Sequence, residues 1–332
     1  MTDHSFTAFR VSETSENKFG SAIVSRSIED LPDNDVLIKV SYSSLNFKDA
    51  LSTSGNKGVT RNYPHTPGID AAGIVVSSKS GELTPGDEVI VTGYDLGMNT
   101  DGGFSQYISV PAGWVVRRPK NLTLRESMIL GTAGLTAALC VQKLIGSGLV
   151  QDSGEILVTG ATGGVGVLGV ALLVKLGFDV TASTGKSSEV SFLEGLGAKV
   201  IARQELSEAT KKPLLSEKWA GAIDVVGGET LVNILKQIRY SGSVATCGLV
   251  ESPSFKSTVL PFILRGVNLL GVDSVELPLA IKEDVWKKLG SIWKIDGLES
   301  LSTEIVMDEL PDKLDLILGG KARGRFLLNL TG

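Results

Sequence analysis

Over the first third of the chain, apolar and polar residues alternate in short runs divided by turn residues, the pattern of half-buried strands. Residues 35–41 (DVLIKVS) alternate, and residues 69–77 (IDAAGIVVS) and 88–92 (EVIVT) are apolar and β-branched, with Pro85-Gly86-Asp87 as the turn between the last two. Asp101-Gly102-Gly103 precedes a further predicted strand, 104–110. Together these predict a β-rich domain over residues 1–124. Helical patterning begins at Thr123 (TLRESMILGTAGLTAALCVQKLIG), where Thr123 and Glu126 have the spacing of a capping box. From Glu155 onward strands alternate with helices, the predicted strand cores being 155–159, 179–183, 199–203, 222–226, 243–247 and 268–273. Such βα alternation predicts a doubly wound parallel sheet, assigned here to residues 125–293. After Pro278 the pattern gives a helix (279–293), a strand (302–307), a helix near 308–318 and a last strand (325–329). These closing pieces are too few to stand alone, so residues 294–332 are expected to complete the first domain.

The most specific local signal lies at GEILVTGATGGVGVLGVALLVKLGFDVTASTGK, residues 154–186. A predicted strand enters a turn holding Gly160, Gly163, Gly164 and Gly166, a helix follows over 165–176, and a second strand leaves. Glycines at such a turn let backbone approach a pyrophosphate, and the helix N-terminus supplies free N–H groups and partial positive charge. Thr162, Gly163, Gly164 and Val165 are therefore the expected pyrophosphate contacts. An NAD site places an Asp or Glu at the end of the second strand, about 20 residues past the glycines, to bind the ribose 2′-hydroxyl. This chain instead has Ser183, Thr184, Gly185 and Lys186 there, and Arg203 ends the third predicted strand. Hydroxyls and cations suit a 2′-phosphate, so the expected cofactor is NADPH.

Composition narrows the class. At 332 residues the chain suits two domains, and 42% hydrophobic with 21% charged residues is the balance of a globular protein. A net charge of −5 without a basic stripe argues against nucleic acid. The first residues have neither a basic leader nor an apolar core, and no unbroken apolar run reaches membrane-spanning length, so neither a signal peptide nor a membrane span is expected. Cys140 and Cys247 stand far apart in apolar surroundings and form no metal or redox motif, which fits a reducing cytoplasm.

Several segments carry a resemblance. SSLNFKDAL (43–51), PGIDAAG (67–73), GTAGLTAALCV (131–141), VTGATGGVG (158–166), PFILRGVNLLGVDSV (261–275) and GRFLL (324–328) occur in this order. With them the chain resembles the zinc-free medium-chain dehydrogenase/reductases, and among those the acryloyl-CoA reductases, which often carry a quinone oxidoreductase name. The resemblance implies an α/β protein: a GroES-like β-rich catalytic domain plus a Rossmann domain, with the active site in the cleft between. It implies NADPH-dependent reduction of a carbon–carbon double bond conjugated to a carbonyl, acryloyl-CoA becoming propanoyl-CoA. A homodimer joined through Rossmann edge strands is implied too, with VNLLGV as the edge. The alternative is an NADPH:quinone or general activated-alkene reductase on the same fold.

Zinc relatives need Cys and His ligands, but the position of their GHE motif reads Gly68-Ile69-Asp70 here, and His4 and His65 are the only histidines. No metal site is expected, and His65, beside Pro64, reads as a surface or loop-packing residue rather than a catalyst. Something else must then hold the charge that develops on the substrate carbonyl oxygen. Asn46, Lys48 and Asp70 are the candidates: Asn46 as a donor to the carbonyl, Lys48 as a cation for the substrate or a partner of Asp49 or Asp70. Asp49 and Asp70 remain open between catalysis and a capping or ion-pair role. Phe47 stands where the family usually has Tyr, so it can line the cofactor but cannot relay a proton. By resemblance Leu249, Ser274 and Arg325 also approach the cofactor, a surface ion pair being the competing reading for Arg325. Lys48, Lys57 and Arg61 are the basic candidates for gripping CoA.

Overall fold

A computed structural model describes residues 5–208 and 210–331; His4 lies outside them. The chain divides into two compact units. The first runs up to Thr132 and takes in Val275–Ser291 and the chain from Gly297; the second comprises Ala133–Ser274 and Ile292–Asp296.

The first unit is built on a sheet in the order Ser302–Ile305, Arg325–Asn329, Val36–Ser44, Asp70–Ser78, Glu88–Thr92, Val115–Arg117, with Tyr107–Val110 also paired to Val36–Ser44. The closing strand, Arg325–Asn329, pairs antiparallel with Val36–Ser44, so the end of the chain does join the β-rich unit. A hairpin that the sequence reading did not foresee, Ser5–Ser15 with Lys18–Ser27, turns at Glu16-Asn17, where Asn17 has φ 57°. Asparagine tolerates this left-handed conformation better than most residues. The hairpin is tied to the sheet. Phe9 N–H donates to Phe104 O at 2.9 Å, Val11 and His65 exchange two backbone bonds of 2.8 Å, and Phe9 and Val11 are buried in the core with Ile38, Val91 and Phe104.

The second unit carries six parallel strands in the order Lys199–Ala202, Val180–Thr184, Ile156–Val158, Trp219–Asp224, Ile238–Thr246, Asn268–Gly271. Numbered along the chain this is 3-2-1-4-5-6, the doubly wound Rossmann order, whose switch point lies between Ile156–Val158 and Trp219–Asp224. Two strands start earlier than expected. Arg239, Tyr240 and Ser241 are exposed, so the first half of Ile238–Thr246 carries no apolar signal.

The unit boundaries fall at 132/133 and 274/275, against the expected 124/125 and 293/294. Hydrogen bonds explain the shift. Thr132 N–H is held by Asp70, a first-unit residue. Past Ser274, Tyr94 N–H donates to Val275 O, and the buried Lys282 Nζ donates to Thr92 O (2.7 Å) and Val275 O (3.0 Å) while its ammonium lies over the Tyr94 ring. The helix Leu124–Gly146 begins with the expected capping box: Glu126 N–H donates to Thr123 Oγ1 and Thr123 N–H to Glu126 Oε2. Among the described residues it is the one helix long and apolar enough to cross a membrane by length and composition, a feature the sequence reading missed. It is broken at Gly131 (φ 51°), and 78% of its apolar window is buried within the protein.

Because the hairpin seats Phe9 in the core, truncating that ring should cost about 3–5 kcal/mol. Denaturant unfolding of Phe9→Ala is expected to show this loss, whereas an unchanged midpoint would mean the hairpin contributes nothing to the first unit.

Candidate functional site

In the first unit the SSLNFKD and PGIDAAG segments meet at one buried carboxylate. Asp70, the first residue of its strand, is 0% exposed. Its Oδ2 accepts from Ser44 Oγ (2.6 Å), Asn46 Nδ2 (2.7 Å) and Thr132 N–H (2.9 Å); Oδ1 accepts from Thr132 N–H (3.0 Å) and Thr132 Oγ1 (2.5 Å). Arg325 Nη2 stands 3.8 Å from Oδ2. Gly131 makes this possible. A Cβ there would lie 2.5 Å from Asp70 Oδ2 and 2.4 Å from Ser44 Oγ, and the left-handed φ turns the next N–H onto the carboxylate.

Three expectations change here. Asp70 is saturated with protein donors, which favours the positioning reading over catalysis. Asn46 is not a free donor: one N–H of its amide goes to Asp70 and the other to Ser44 O at 3.2 Å, so it presents Oδ1, an acceptor. Arg325 is not a surface ion pair. At 3% exposed it donates from Nε to Ile129 O (3.1 Å) and from Nη1 to Leu45 O (3.0 Å), and burial lowers its pKa while Asp70 and Asp49 oppose that.

Asp49 sits on the first turn of the helix Phe47–Thr53. Its carboxylate accepts from Asn46 N–H, Gly68 N–H and Ile69 N–H, which fixes the PGID turn against the helix. Burial, then the neighbouring Asp70 charge, push its pKa up to about 7 against the pull of those three donors. Phe47 is exposed and Lys48 half-buried on the same first turn. Lys57 is already engaged: its ammonium faces the Phe19 and Tyr63 rings and pairs with Glu13 at 3.4 Å. Arg61 is exposed, and its backbone N–H donates to Asn99 Oδ1. His65 is buried loop packing, as expected, and burial lowers its pKa. Ser44 and Thr132 were missed as site residues, since neither type in isolation marks a site.

In the second unit, Ile156–Val158 leads through Thr159–Gly163 into the helix Gly164–Lys175. Gly160 has φ 56°, and a Cβ on Gly166 would lie 2.3 Å from Gly160 O, so the turn closes only with hydrogen at that position. The cap residue is Gly163, with no side chain to occupy the helix's first N–H groups. Thr162 is buried, and Gly163, Gly164 and Val165 are partly exposed along this turn. The turn thus fits a phosphate diester: backbone donors, helix-end positive charge and no side chain in the way.

At the end of the second strand, Thr184 Oγ1 accepts from Lys186 N–H at 3.0 Å, and Thr184 O accepts from Arg203 N–H at 2.8 Å. A Cβ on Gly185 would lie 2.9 Å from Arg203 Cζ, so the guanidinium lies against the Gly185 backbone. Thr184, Gly185, Lys186 and Arg203 therefore form one corner, with two cations and no carboxylate in the position where a 2′-hydroxyl site needs one. Burial lowers the Lys186 pKa, and Glu189 opposes the shift. Leu249 is exposed just past the fifth strand, and Ser274 is buried with its Oγ accepting from Thr136 Oγ1 at 2.8 Å.

Sequence reasoning also missed Asp224. From the end of the fourth strand its Oδ1 accepts from Thr159 Oγ1 (2.8 Å) and its Oδ2 from Gly227 N–H (2.9 Å), with Thr246 Oγ1 at 3.5 Å. One carboxylate thus holds the ends of the first, fourth and fifth strands at the switch point. Burial raises its pKa against these donors.

Comparison with known proteins agrees with this fold. Residues 32–120 match the alcohol dehydrogenase GroES-like domain and residues 164–290 the zinc-binding dehydrogenase domain. The acrylyl-CoA reductase AcuI of Ruegeria pomeroyi is 42% identical over 98% of this chain and 99% of its own. YhfP of Bacillus subtilis, named a quinone oxidoreductase, is 47% identical over 92% of this chain and 93% of its own. A crystal structure of the yhdH oxidoreductase from Salmonella enterica in complex with NADP has TM-score 0.94 at 40% identity, covering 98% of this chain and 99% of that one. A structure of yhfP has NAD bound, with TM-score 0.95 at 45% identity over 98% and 99% of the two chains. By its GroES-like and Rossmann units and its likeness to these proteins over nearly its whole length, the chain belongs to the medium-chain dehydrogenase/reductase family, in the branch that holds the acrylyl-CoA reductases.

Proposed function

We propose that this chain is an NADPH-dependent reductase of the conjugated double bond of an enoyl thioester, acryloyl-CoA giving propanoyl-CoA. The observation that carries the substrate is the match to a protein named acrylyl-CoA reductase over 98% of this chain. The alternative is a quinone or general activated-alkene reductase, favoured by the name of the Bacillus subtilis relative. Cofactor choice rests on the Thr184–Lys186–Arg203 corner rather than on likeness, because relatives at similar identity were solved with NADP and with NAD.

Bound NADPH supplies the hydride. Around it, the first-turn N–H groups of Gly164–Lys175 receive the pyrophosphate, and Thr184, Lys186 and Arg203 receive the 2′-phosphate. Leu249 and Ser274 would also help to hold the nucleotide. In the first unit Asp70, Asn46 and Asp49 act as positioning residues: they fix the start of Phe47–Thr53 so that Phe47 and Lys48 keep their places. Lys48 brings positive charge for the thioester oxygen, where negative charge gathers as the β-carbon is reduced. Phe47 carries no proton, so water or another residue gives the α-carbon its proton. This reading is of a zinc-independent reaction, since Gly68-Ile69-Asp70 stands where zinc relatives have their GHE motif. NADPH is an intracellular reductant, which supports a cytoplasmic setting. The edge strand Asn268–Gly271, next to a helix Leu260–Arg265 that leaves Ile263 68% and Leu264 57% exposed, supports a homodimer formed through this edge.

Two outcomes are expected. A charged hydrogen bond is worth about 1.5–3 kcal/mol, so Lys186→Ala should weaken NADPH by roughly tenfold or more and leave NADH nearly unchanged in fluorescence titration. Equal affinity of the unaltered chain for both cofactors would remove the reading of this corner. In steady-state assays acryloyl-CoA should be reduced with a far higher kcat/KM than simple quinones or free acrylate, because CoA offers binding energy remote from the reacting carbons. Quinones consumed with equal or better efficiency would establish the alternative.

A further inference from the structure

The helix Leu279–Leu289 buries Lys282, Val285, Trp286 and Leu289, which have the three- and four-residue spacing of one helical face. Three of the four are apolar, yet Lys282 is as buried as they are, at 0% exposed. An apolar side chain at 282 would serve a core at least as well, because buried ions are often replaced by hydrophobes without loss of stability. The ammonium is therefore explained by what it holds. Its Nζ donates to Thr92 O (2.7 Å) and Val275 O (3.0 Å) and stands 3.3 Å from the centre of the Tyr94 ring, whose face attracts a cation. Tyr94 is held from other sides too. Its N–H donates to the same Val275 O at 3.1 Å, its hydroxyl donates to Leu277 O at 2.9 Å, and its ring stacks on Trp114 with centroids 5.6 Å apart. The Tyr94 φ of 52° puts a bulky residue in the left-handed region, a strained backbone that persists only where neighbours enforce it. All of these residues belong to the first unit.

We infer that Lys282 is a positioning residue for hydride transfer: its buried ammonium ties the strained Gly93-Tyr94 turn to Val275–Leu277 and thereby sets the places of Asp70 and Ser274. The first link runs through the sheet. Thr92 is the cross-strand partner of Asp70, and Gly93 N–H donates to Ile69 O at 2.9 Å, so the turn continues the pairing that starts the Asp70 strand. The second link runs along the chain. Ser274 immediately precedes Val275, and its hydroxyl accepts from Thr136 Oγ1 at 2.8 Å. The two carbonyls that Lys282 takes thus belong to residues adjoining the proposed site, one opposite Asp70 and the other next to Ser274. Lys282, being buried, acts through these neighbours. Hydride moves fast only when the reacting atoms are held in the attacking geometry. Loosening this tie therefore slows the hydride step, while the cationic corner at Thr184, Lys186 and Arg203 keeps its grip on the nucleotide. The effect on hydride transfer rests on the reductase reading above; the tie between Tyr94 and Val275 does not.

The test is single-turnover oxidation of NADPH by acryloyl-CoA in stopped flow, on the full-length chain and on Lys282→Met, Tyr94→Leu and Val285→Ala. A primary isotope effect with NADPH deuterated at the transferring position marks the observed step as hydride transfer. Lys282→Met keeps the reach of the side chain and removes its charge. It should slow the hydride step roughly tenfold or more, bind NADPH as before in fluorescence titration, and show faster hydrogen exchange at the Tyr94 amide. Tyr94→Leu removes the ring beneath the ammonium and the bond to Leu277 O, and should slow the step likewise; it decides the proposal if Lys282→Met does not fold. Val285→Ala leaves a cavity on the same helix face, so it should lower the unfolding midpoint and leave the hydride step unchanged. Lys282→Met turning over at the unaltered rate would overturn the proposal. So would equal slowing by Val285→Ala, a matching loss of NADPH affinity, or a Tyr94 amide as protected as before. If the unaltered chain reduced no acryloyl-CoA, the substrate reading would fail; a quinone would then be the hydride acceptor in the same comparison, and amide exchange would still decide the tie.

Discussion

A buried carboxylate must be surrounded by donors or it destabilises the protein that holds it. In the first unit that requirement falls on Asp70, and the way it is met organises the region. Its donors come from the end of the strand Val36–Ser44, the cap of Phe47–Thr53 and the break at Gly131, with the Arg325 cation nearby from the last strand. Four stretches, around residues 44–46, 70, 131–132 and 325, are thereby fixed to one another. Arg325 extends the arrangement by donating to the carbonyls of Ile129 and Leu45. Asp49 adds a second buried carboxylate that clamps the Gly68–Ile69 turn. Phe47 and Lys48, on the first turn of Phe47–Thr53, inherit their positions from these two acids.

Asp224 solves the same problem in the second unit. It gathers Thr159, Gly227 and Thr246 at the switch point, beside a turn that cannot accept a Cβ at Gly166. The turn and the cationic corner of Thr184, Lys186 and Arg203 therefore stand on a fixed sheet edge rather than on mobile loops. Such preorganisation avoids the cost of ordering the site when nucleotide arrives.

What the sequence made legible was local. Strand–glycine–helix–strand order revealed the dinucleotide fold because each element carries its own periodicity, and the missing acid after Ser183 is a property of adjacent residues. The segments around Asn46 and Asp70 stood out as blocks. Their roles did not, because the fate of a carboxylate or amide is decided by donors that arrive from elsewhere in the chain. Asn46 read as a free donor until Asp70 and Ser44 O took both its N–H groups. For Arg325 a surface ion pair stood beside a cofactor contact, and its burial removes the first. The first hairpin escaped because its second strand is mostly exposed and polar and its turn, Glu16-Asn17, lacks the glycine that marks the commonest two-residue hairpins.

The proposed reduction sends hydride to the β-carbon of a conjugated thioester and a solvent-exchangeable proton to the α-carbon. Isotope placement tests it most directly: NADPH deuterated at the transferring position, acryloyl-CoA and ordinary water, with the propanoyl product analysed by NMR. The account predicts deuterium at C3, and in heavy water with unlabelled NADPH it predicts deuterium at C2. Deuterium from the cofactor at C2, or no propanoyl product at all, would contradict it.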